Sequence, residues 1–309
     1  MRILLTGGAG CLGSNVVERL LPVCERVVVL DNFATGKMAS LPISPRLEVV
    51  EGSVADGPLV EAVFDGLRPD VVIHAAAAYK DPNDWRVDTV TNVLGSIEIA
   101  RACERWDVSR LVNLQTALCY GTPKALPIPA DHPTAPITSY GITKTAGEAF
   151  VLSCGVSTAS LRISNVVAPR LAIGPIPAFY KRLKAGDPCT VTESVRDFLD
   201  VRDFLRCLET VIDRHDVTGV FNVSSGVGHS IAEIFGLVAR HLGMEGRQPD
   251  ATVAPAADDI PIVVLDPSHT TEVFGWSADV GFDDTVAGML GWYDIHGVTD
   301  VYSHLQERR

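Results

Sequence analysis

The sequence predicts an α/β protein built on a doubly wound parallel sheet, with a smaller lobe formed by the C-terminal part of the chain. Three observations predict it. Short apolar runs alternate with segments of helical period over residues 3–163, the pattern of a parallel sheet covered by helices on both faces. The first run ends in a glycine-rich turn that opens a helix. Beyond residue 168 the alternation loosens, and Pro169, Pro175 and Pro177 interrupt the chain. The reading is therefore a first domain over 1–168, joined by part of 197–225, and a lobe over 169–309. At 309 residues the chain is long enough to bury such a core.

With 47% hydrophobic and 21% charged residues, the composition is that of a globular protein. The net charge of −12 argues against nucleic acid or an anionic membrane as partners, since both favour a basic face. Seven cysteines without a C-x-x-C read as free thiols in a reducing, cytoplasmic setting. The eight histidines show no metal-ligand spacing, so no metal is expected. Met1 and Arg2 lead straight into the first apolar run, so no signal peptide is expected. No apolar run approaches the roughly 20 residues of a membrane span.

Taken in order, residues 3–5 form the first strand. Gly7, Gly10 and Gly13 follow in a tight turn, and an amphipathic helix runs to Leu21. Backbone N–H groups and the positive end of the helix dipole suit a diphosphate at such a turn. A side chain there would hold the phosphate away from the backbone. The spacing is G-x-x-G-x-x-G rather than G-x-G-x-x-G, and an ordinary strand–helix connection shares it. Residues 26–30 form a second strand that ends at Asp31, about the interval at which an acid meets the ribose of a dinucleotide. A carboxylate there accepts from the ribose hydroxyls and repels a 2′-phosphate, favouring NAD over NADP. As part of an Asp-Asn pair it also suits a turn.

Residues 47–50 read as a third strand, followed by a helix to Leu67. A fourth strand over 71–74 runs into Ala75, Ala76, Ala77 and Ala78, small enough for a flat ligand to lie against the backbone. His74, at the end of that apolar strand, reads as a packed core residue. A helix over 92–105 and a fifth strand over 111–115 follow. After a proline-rich loop at 121–136 come a helix over 140–152 and a sixth strand over 159–163.

Tyr140 and Lys144 lie four residues apart on that helix, so both side chains leave one face. An ammonium beside a phenol favours the phenolate, lowering a pKa that starts at about 10. Tyr140 then becomes a usable acid or base near neutral pH. Thr116 ends the fifth strand, at the edge where ligands bind in open α/β sheets. Its hydroxyl suits the same substrate oxygen, and threonine is also common in strands for its propensity alone.

Further motifs accompany these residues in order: T-G-G-A-G-C-L-G at 6–13, D-N-F at 31–33, H-A-A-A at 74–77, N-V-L-G at 92–95, T-A-L-C-Y-G at 116–121 and S-Y-G-I-T-K at 139–144. L-R-I-S-N at 161–165, R-D-F-L-D at 196–200 and F-G-W at 274–276 extend the series. With them the chain resembles the extended short-chain dehydrogenase/reductases, in their nucleotide-sugar epimerase/dehydratase group, over nearly its whole length. The resemblance implies a Rossmann domain that holds NAD and a lobe that holds a nucleotide sugar. It places Gly7, Gly10, Cys11, Leu12 and Gly13 around the pyrophosphate, Asp31 and Asn32 at the adenosine ribose, and Ser53 and Val54 by the adenine. Ala75, Ala76, Lys80 and Asn92 complete the cofactor set. Tyr140 becomes the acid/base with Thr116 as its partner, and Lys144 holds the nicotinamide ribose. Asn165, Arg196 and Thr116 are the substrate contacts. For Arg196 the physics agrees, because a guanidinium grips phosphate oxygens through two bonds. A structural ion pair with Asp197 or Asp200 is its alternative.

Two departures from the family pattern shape the expected function. Dehydratases and decarboxylases of the group carry an acid just after the strand-end threonine, and here Ala117, Leu118 and Cys119 follow. Relatives also carry a second diphosphate arginine where residues 256–260 stand here, and that stretch is acidic. Arg170, Lys181, Arg182 and Lys184 are the basic group available to replace it, or else a solvated helix face. The implied activity is an NAD-dependent 4-epimerase of a UDP-hexose or UDP-hexuronate, acting through a 4-keto sugar. The alternatives are an NDP-4-ketosugar reductase, a dehydratase or decarboxylase, and a non-catalytic NAD-binding protein. The helices at 92–105 and 140–152 resemble those that pair in family homodimers.

Overall fold

The structure is a computed structural model and describes residues 1–256, 258–298 and 301. Ala257 of the acidic stretch and most of the final residues of the expected lobe lie outside the described residues. The first half runs β1 (Arg2–Thr6), α1 (Cys11–Leu20), β2 (Arg26–Asp31), β3 (Leu47–Glu51), α2 (Gly57–Leu67), β4 (Val71–His74), α3 (Trp85–Asp88), α4 (Gly95–Arg105), β5 (Arg110–Thr116), α5 (Ser139–Ser153) and β6 (Thr158–Ile163). There follow β7 (Asn165–Val167), α6 (Pro175–Ala185), β8 (Thr190–Thr192), β9 (Val195–Asp200), α7 (Val201–Asp213), β10 (Gly219–Val223), β11 (Gly228–Ser230), α8 (Ile231–His241), β12 (Ala251–Val253), β13 (Ile262–Val263), α9 (Ser268–Phe274) and α10 (Phe282–His296).

Seven strands form the central sheet in the order β10-β6-β5-β4-β1-β2-β3, and every pairing in it is parallel. The continuous apolar runs follow from this position. β2 buries all but its first residue, because helices cover both faces of the sheet. One face carries Val16 and Val17 of α1 with Phe204 and Leu208 of α7. The other carries Phe64 of α2, Ile99 and Cys103 of α4 and Val151 of α5. β10 enters this sheet from the second half of the chain and pairs with β6 from Gly219↔Ala159 to Val223↔Ile163.

The remaining chain builds a second core from Ile176, Phe179 and Leu183 of α6, Ile234 and Phe235 of α8 and Met289 of α10. Two small sheets accompany it. β9 pairs with β7, β11 and β13, and β12 pairs with β8.

The helix expected from residue 92 begins earlier. A π-helical turn at Thr89–Leu94 joins α3 to α4, an insertion that commonly marks functional positions. Among the described residues no helix is long and apolar enough to cross a membrane. All seven cysteines are free thiols.

Candidate active site

The strand order reverses between β1 and β4, and ligands of open α/β sheets bind outside the C-terminal strand ends at such a point. A cavity of about 1780 Å³ occupies that place. Pockets for one small molecule are typically about 300–1,000 Å³, so this one has room for a dinucleotide and a second ligand.

Gly7, Gly10, Cys11, Leu12 and Gly13 line one end. Gly7 adopts φ +69°, the left-handed region. A Cβ on Gly13 would stand 2.2 Å from the Gly7 carbonyl oxygen. α1 starts at this turn with no side-chain cap and no acid in its first turn. Its first N–H groups and the positive end of its dipole are left to the cavity. These residues fit a pyrophosphate. Cys11 also ties the turn to the start of the lobe, its thiol donating to the Pro169 carbonyl at 3.5 Å. Burial pushes that thiol up to about 12.

Asp31 stands on the cavity wall with its two oxygens fixed by backbone, accepting from Ala9 N–H and Phe33 N–H at 2.8 Å each. A carboxylate held in this way keeps its remaining lone pairs for ribose hydroxyls. Asn32, Ser53, Val54, Ala75, Ala76 and Lys80 line the same stretch. His74 lies beneath it, fully buried between the Thr6 hydroxyl at 2.8 Å and the Ser96 hydroxyl at 3.1 Å. Burial drives its pKa down to about 3, so the ring is neutral.

Asn92 is set differently. The structure places it beneath the cavity wall, 1% exposed. Its oxygen accepts from Ala78 N–H at 2.8 Å. Its nitrogen donates to the Ala78 carbonyl at 2.9 Å and to the Thr143 hydroxyl at 3.0 Å. With both N–H donors and one lone pair of the oxygen used, Asn92 holds the loop after β4 against α5.

Thr116, Tyr140 and Lys144 all line the cavity. Thr116 comes from the last position of β5. Tyr140 and Lys144 come from the first turns of α5, whose start is capped by the Thr138 hydroxyl accepting from Gly141 N–H. The Tyr140 ring lies 5.7 Å from that of Tyr79. The electrostatics differ from the expectation. Burial raises the Tyr140 phenol above its ordinary value, Thr116 opposes this, and Asp88 and Cys119 add to it. The Lys144 ammonium is turned to the Leu114 carbonyl at 2.8 Å. Burial brings Lys144 itself down to about 8, against the pull of Glu148 one turn further along the helix.

Asn165 and Arg196 also reach the cavity wall. Asn165 is exposed there and donates to the Asp197 carbonyl at 3.0 Å. Arg196 is not a free guanidinium. It pairs with Asp259, and its other terminal nitrogen donates to the Val195 and Pro261 carbonyls. The alternative partners read from sequence are engaged elsewhere. Asp197 accepts from Ser225, Gly226 and Leu265, and Asp200 pairs with Arg202. The basic group divides as well. Lys181 and Arg182 line the cavity. Arg170 pairs with Glu18, and Lys184 donates to the Tyr180 hydroxyl.

The model described as the NAD dependent epimerase/dehydratase family matches residues 3–224. The chain belongs to that family. Among similar solved structures, the Bordetella bronchiseptica enzyme WbmG, crystallised with NAD and UDP, is 57% identical. That match covers 100% of this chain and 99% of WbmG, with a TM-score of 0.94. The UDP-glucose 4-epimerase of Thermotoga maritima, solved with UDP-glucose, is 27% identical over 96% of this chain and 99% of its own, with a TM-score of 0.86. A putative UDP-glucose 4-epimerase of Methanocaldococcus jannaschii is 29% identical over 94% of this chain and 97% of its own length.

Two polar residues escaped the sequence reading. Asp88, 2% exposed on the cavity wall, accepts from the Ser139 hydroxyl at 2.6 Å, next to Tyr140. Its sequence context, an acid in a polar loop, carried no signal. Gln115 did leave one, since Asn113 and Gln115 are polar residues alternating within an otherwise apolar strand.

Proposed function

We propose that this chain is an NAD-dependent 4-epimerase of UDP-linked hexoses or hexuronates. The observation that supports the reading is one continuous cavity that holds the glycine cradle and the backbone-fixed Asp31 at one end and Thr116, Tyr140 and Lys144 beside it. Gly7, Gly10, Gly13 and Asp31 would hold NAD, which when bound would provide a reversible hydride acceptor for C4 of the sugar. Tyr140 takes the proton of the C4 hydroxyl and gives it back, while the Thr116 hydroxyl holds the same oxygen. Lys144, on the cavity wall, would hold the cofactor's second ribose. Asn165, Lys181 and Arg182 offer donors to the diphosphate. Arg196 contributes through the face that its pair with Asp259 leaves toward the cavity. Holding the substrate by its nucleotide and diphosphate leaves the 4-keto sugar free to turn.

The residues after Thr116 favour epimerisation over dehydration. No acid stands there to handle the proton beside the ketone. Cys119 is fully buried, with its thiol pushed up to about 12, so it stays a protonated thiol near neutral pH and offers no thiolate base. Purified protein supplied with NAD and a panel of UDP-glucose, UDP-glucuronate and their N-acetyl relatives is expected to interconvert at least one C4 pair. Failure across the panel with bound NAD demonstrated rejects the reading.

We further propose a homodimer through α4 and α5, in a reducing compartment. Val90, Leu94, Ile142 and Phe150 are each 39–51% exposed on these adjoining segments, an apolar face of the kind that marks an interface. Light scattering after size exclusion should give twice the chain mass. Ile142→Glu with Phe150→Glu should give a monomer, whereas a monomeric unsubstituted chain contradicts the assignment.

A further inference from the structure

Gln115 is 1% exposed and next to last in β5. Its amide spans the seam between the strand and α5. Nε2 donates to the Lys144 carbonyl at 2.9 Å, and Oε1 accepts from Thr116 N–H at 2.7 Å. One side chain thus touches the backbone of two of the three groups that converge on the cavity. The Lys144 ammonium crosses the same seam to the Leu114 carbonyl. Two bonds tie helix to strand, and a third, from Thr116 N–H to Oε1, locks the strand end to the tie. An apolar residue of equal volume would fill the space but could neither donate to the helix nor accept from the strand.

We infer that Gln115 is a positioning residue for the reaction, its amide fixing the Thr116 hydroxyl against Tyr140 and Lys144 across the β5–α5 seam. The inference rests on the 4-epimerase reading for the identity of those three groups. A displacement of about 1 Å at a reacting centre costs on the order of 100-fold in rate. That is the scale expected when the tie is lost.

The experiment uses the full chain with NAD and a UDP-sugar that the unsubstituted protein turns over. Gln115→Leu should lower kcat on the order of 100-fold, with KM and NAD affinity unchanged. It should also speed hydrogen exchange in a peptide covering Thr116. Gln115→Glu adds a pH readout. A protonated carboxyl can donate to the Lys144 carbonyl and accept from Thr116 N–H, as the amide does, whereas a carboxylate only accepts and would face the Lys144 carbonyl. The kcat of Gln115→Glu relative to the unsubstituted protein should therefore climb as pH falls, while the ratio for Gln115→Leu stays flat. Asn113→Leu is the control, a buried amide on the same strand that donates to the Ser160 hydroxyl. An unchanged kcat in Gln115→Leu, an equal loss in Asn113→Leu, or a flat ratio for Gln115→Glu overturns the inference alone. An unsubstituted protein that turns over no sugar of the panel rejects the 4-epimerase reading and the inference with it.

Discussion

Tyr140→Phe is expected to lower kcat by roughly 10²–10⁴-fold while the chain stays folded and NAD stays bound. The substitution removes one hydroxyl and leaves the ring in its place beside Tyr79. What disappears is the group proposed to exchange a proton with the C4 hydroxyl. Burial raises the phenol's pKa and so favours its neutral form. The basic form in the free protein therefore grows as pH rises, and turnover of the unsubstituted chain should rise with it from the acid side. Phenylalanine has no such group, so its residual rate should be flat over the same range. Steady-state epimerisation and NAD titration on both proteins check this. Normal turnover in Tyr140→Phe removes Tyr140 from the chemistry.

Gly13→Ala should abolish NAD binding and cost the fold about 1–3 kcal/mol, the usual scale of overpacking. The new Cβ would stand 2.2 Å from the Gly7 oxygen and 2.6 Å from the Gly8 Cα. Both are backbone atoms of the turn proposed as the cradle, so relief of the clash would move the proposed phosphate site itself. Gly288→Ala in α10 is the counterpart, because a Cβ there meets nothing within 4 Å. It should leave NAD binding intact and gain up to about 1 kcal/mol from helix propensity. Thermal unfolding and NAD titration separate the two. Equal NAD affinity in Gly13→Ala and the unsubstituted chain rejects the turn as the cradle.

The first half of the fold was legible because its signals are local. Continuous apolar runs bounded by glycines and by acids identified the six strands that precede residue 165. β10 was harder to place. It falls within the 197–225 stretch expected to rejoin the first domain, but its partner β6 lies more than fifty residues earlier, and no local pattern says which part of that stretch is the seventh central strand. Within the site, the glycine turn and the four-residue spacing of Tyr140 and Lys144 depend on chain geometry alone, and both reach the cavity. What the sequence concealed was how polar groups are shared out. Asn92 has the composition of a ligand contact but spends its amide on Ala78 and Thr143. Lys144 is one turn from Tyr140 but turns its charge to Leu114. Arg196 is matched by Asp259, sixty-three positions away, rather than by its acidic neighbours. Each outcome depends on which groups the folded chain brings within bonding distance, and single-residue spacing does not encode that.

The central claim is that one hydride leaves C4 and returns to it within the same site. A UDP-hexose carrying deuterium at C4, turned over in ordinary water with a trace of NAD, tests it most directly. The account predicts that the C4-inverted product keeps its deuterium at C4 and that nicotinamide absorbance shows no net change. Loss of the label to water, or consumption of one reduced nicotinamide per product, would contradict it.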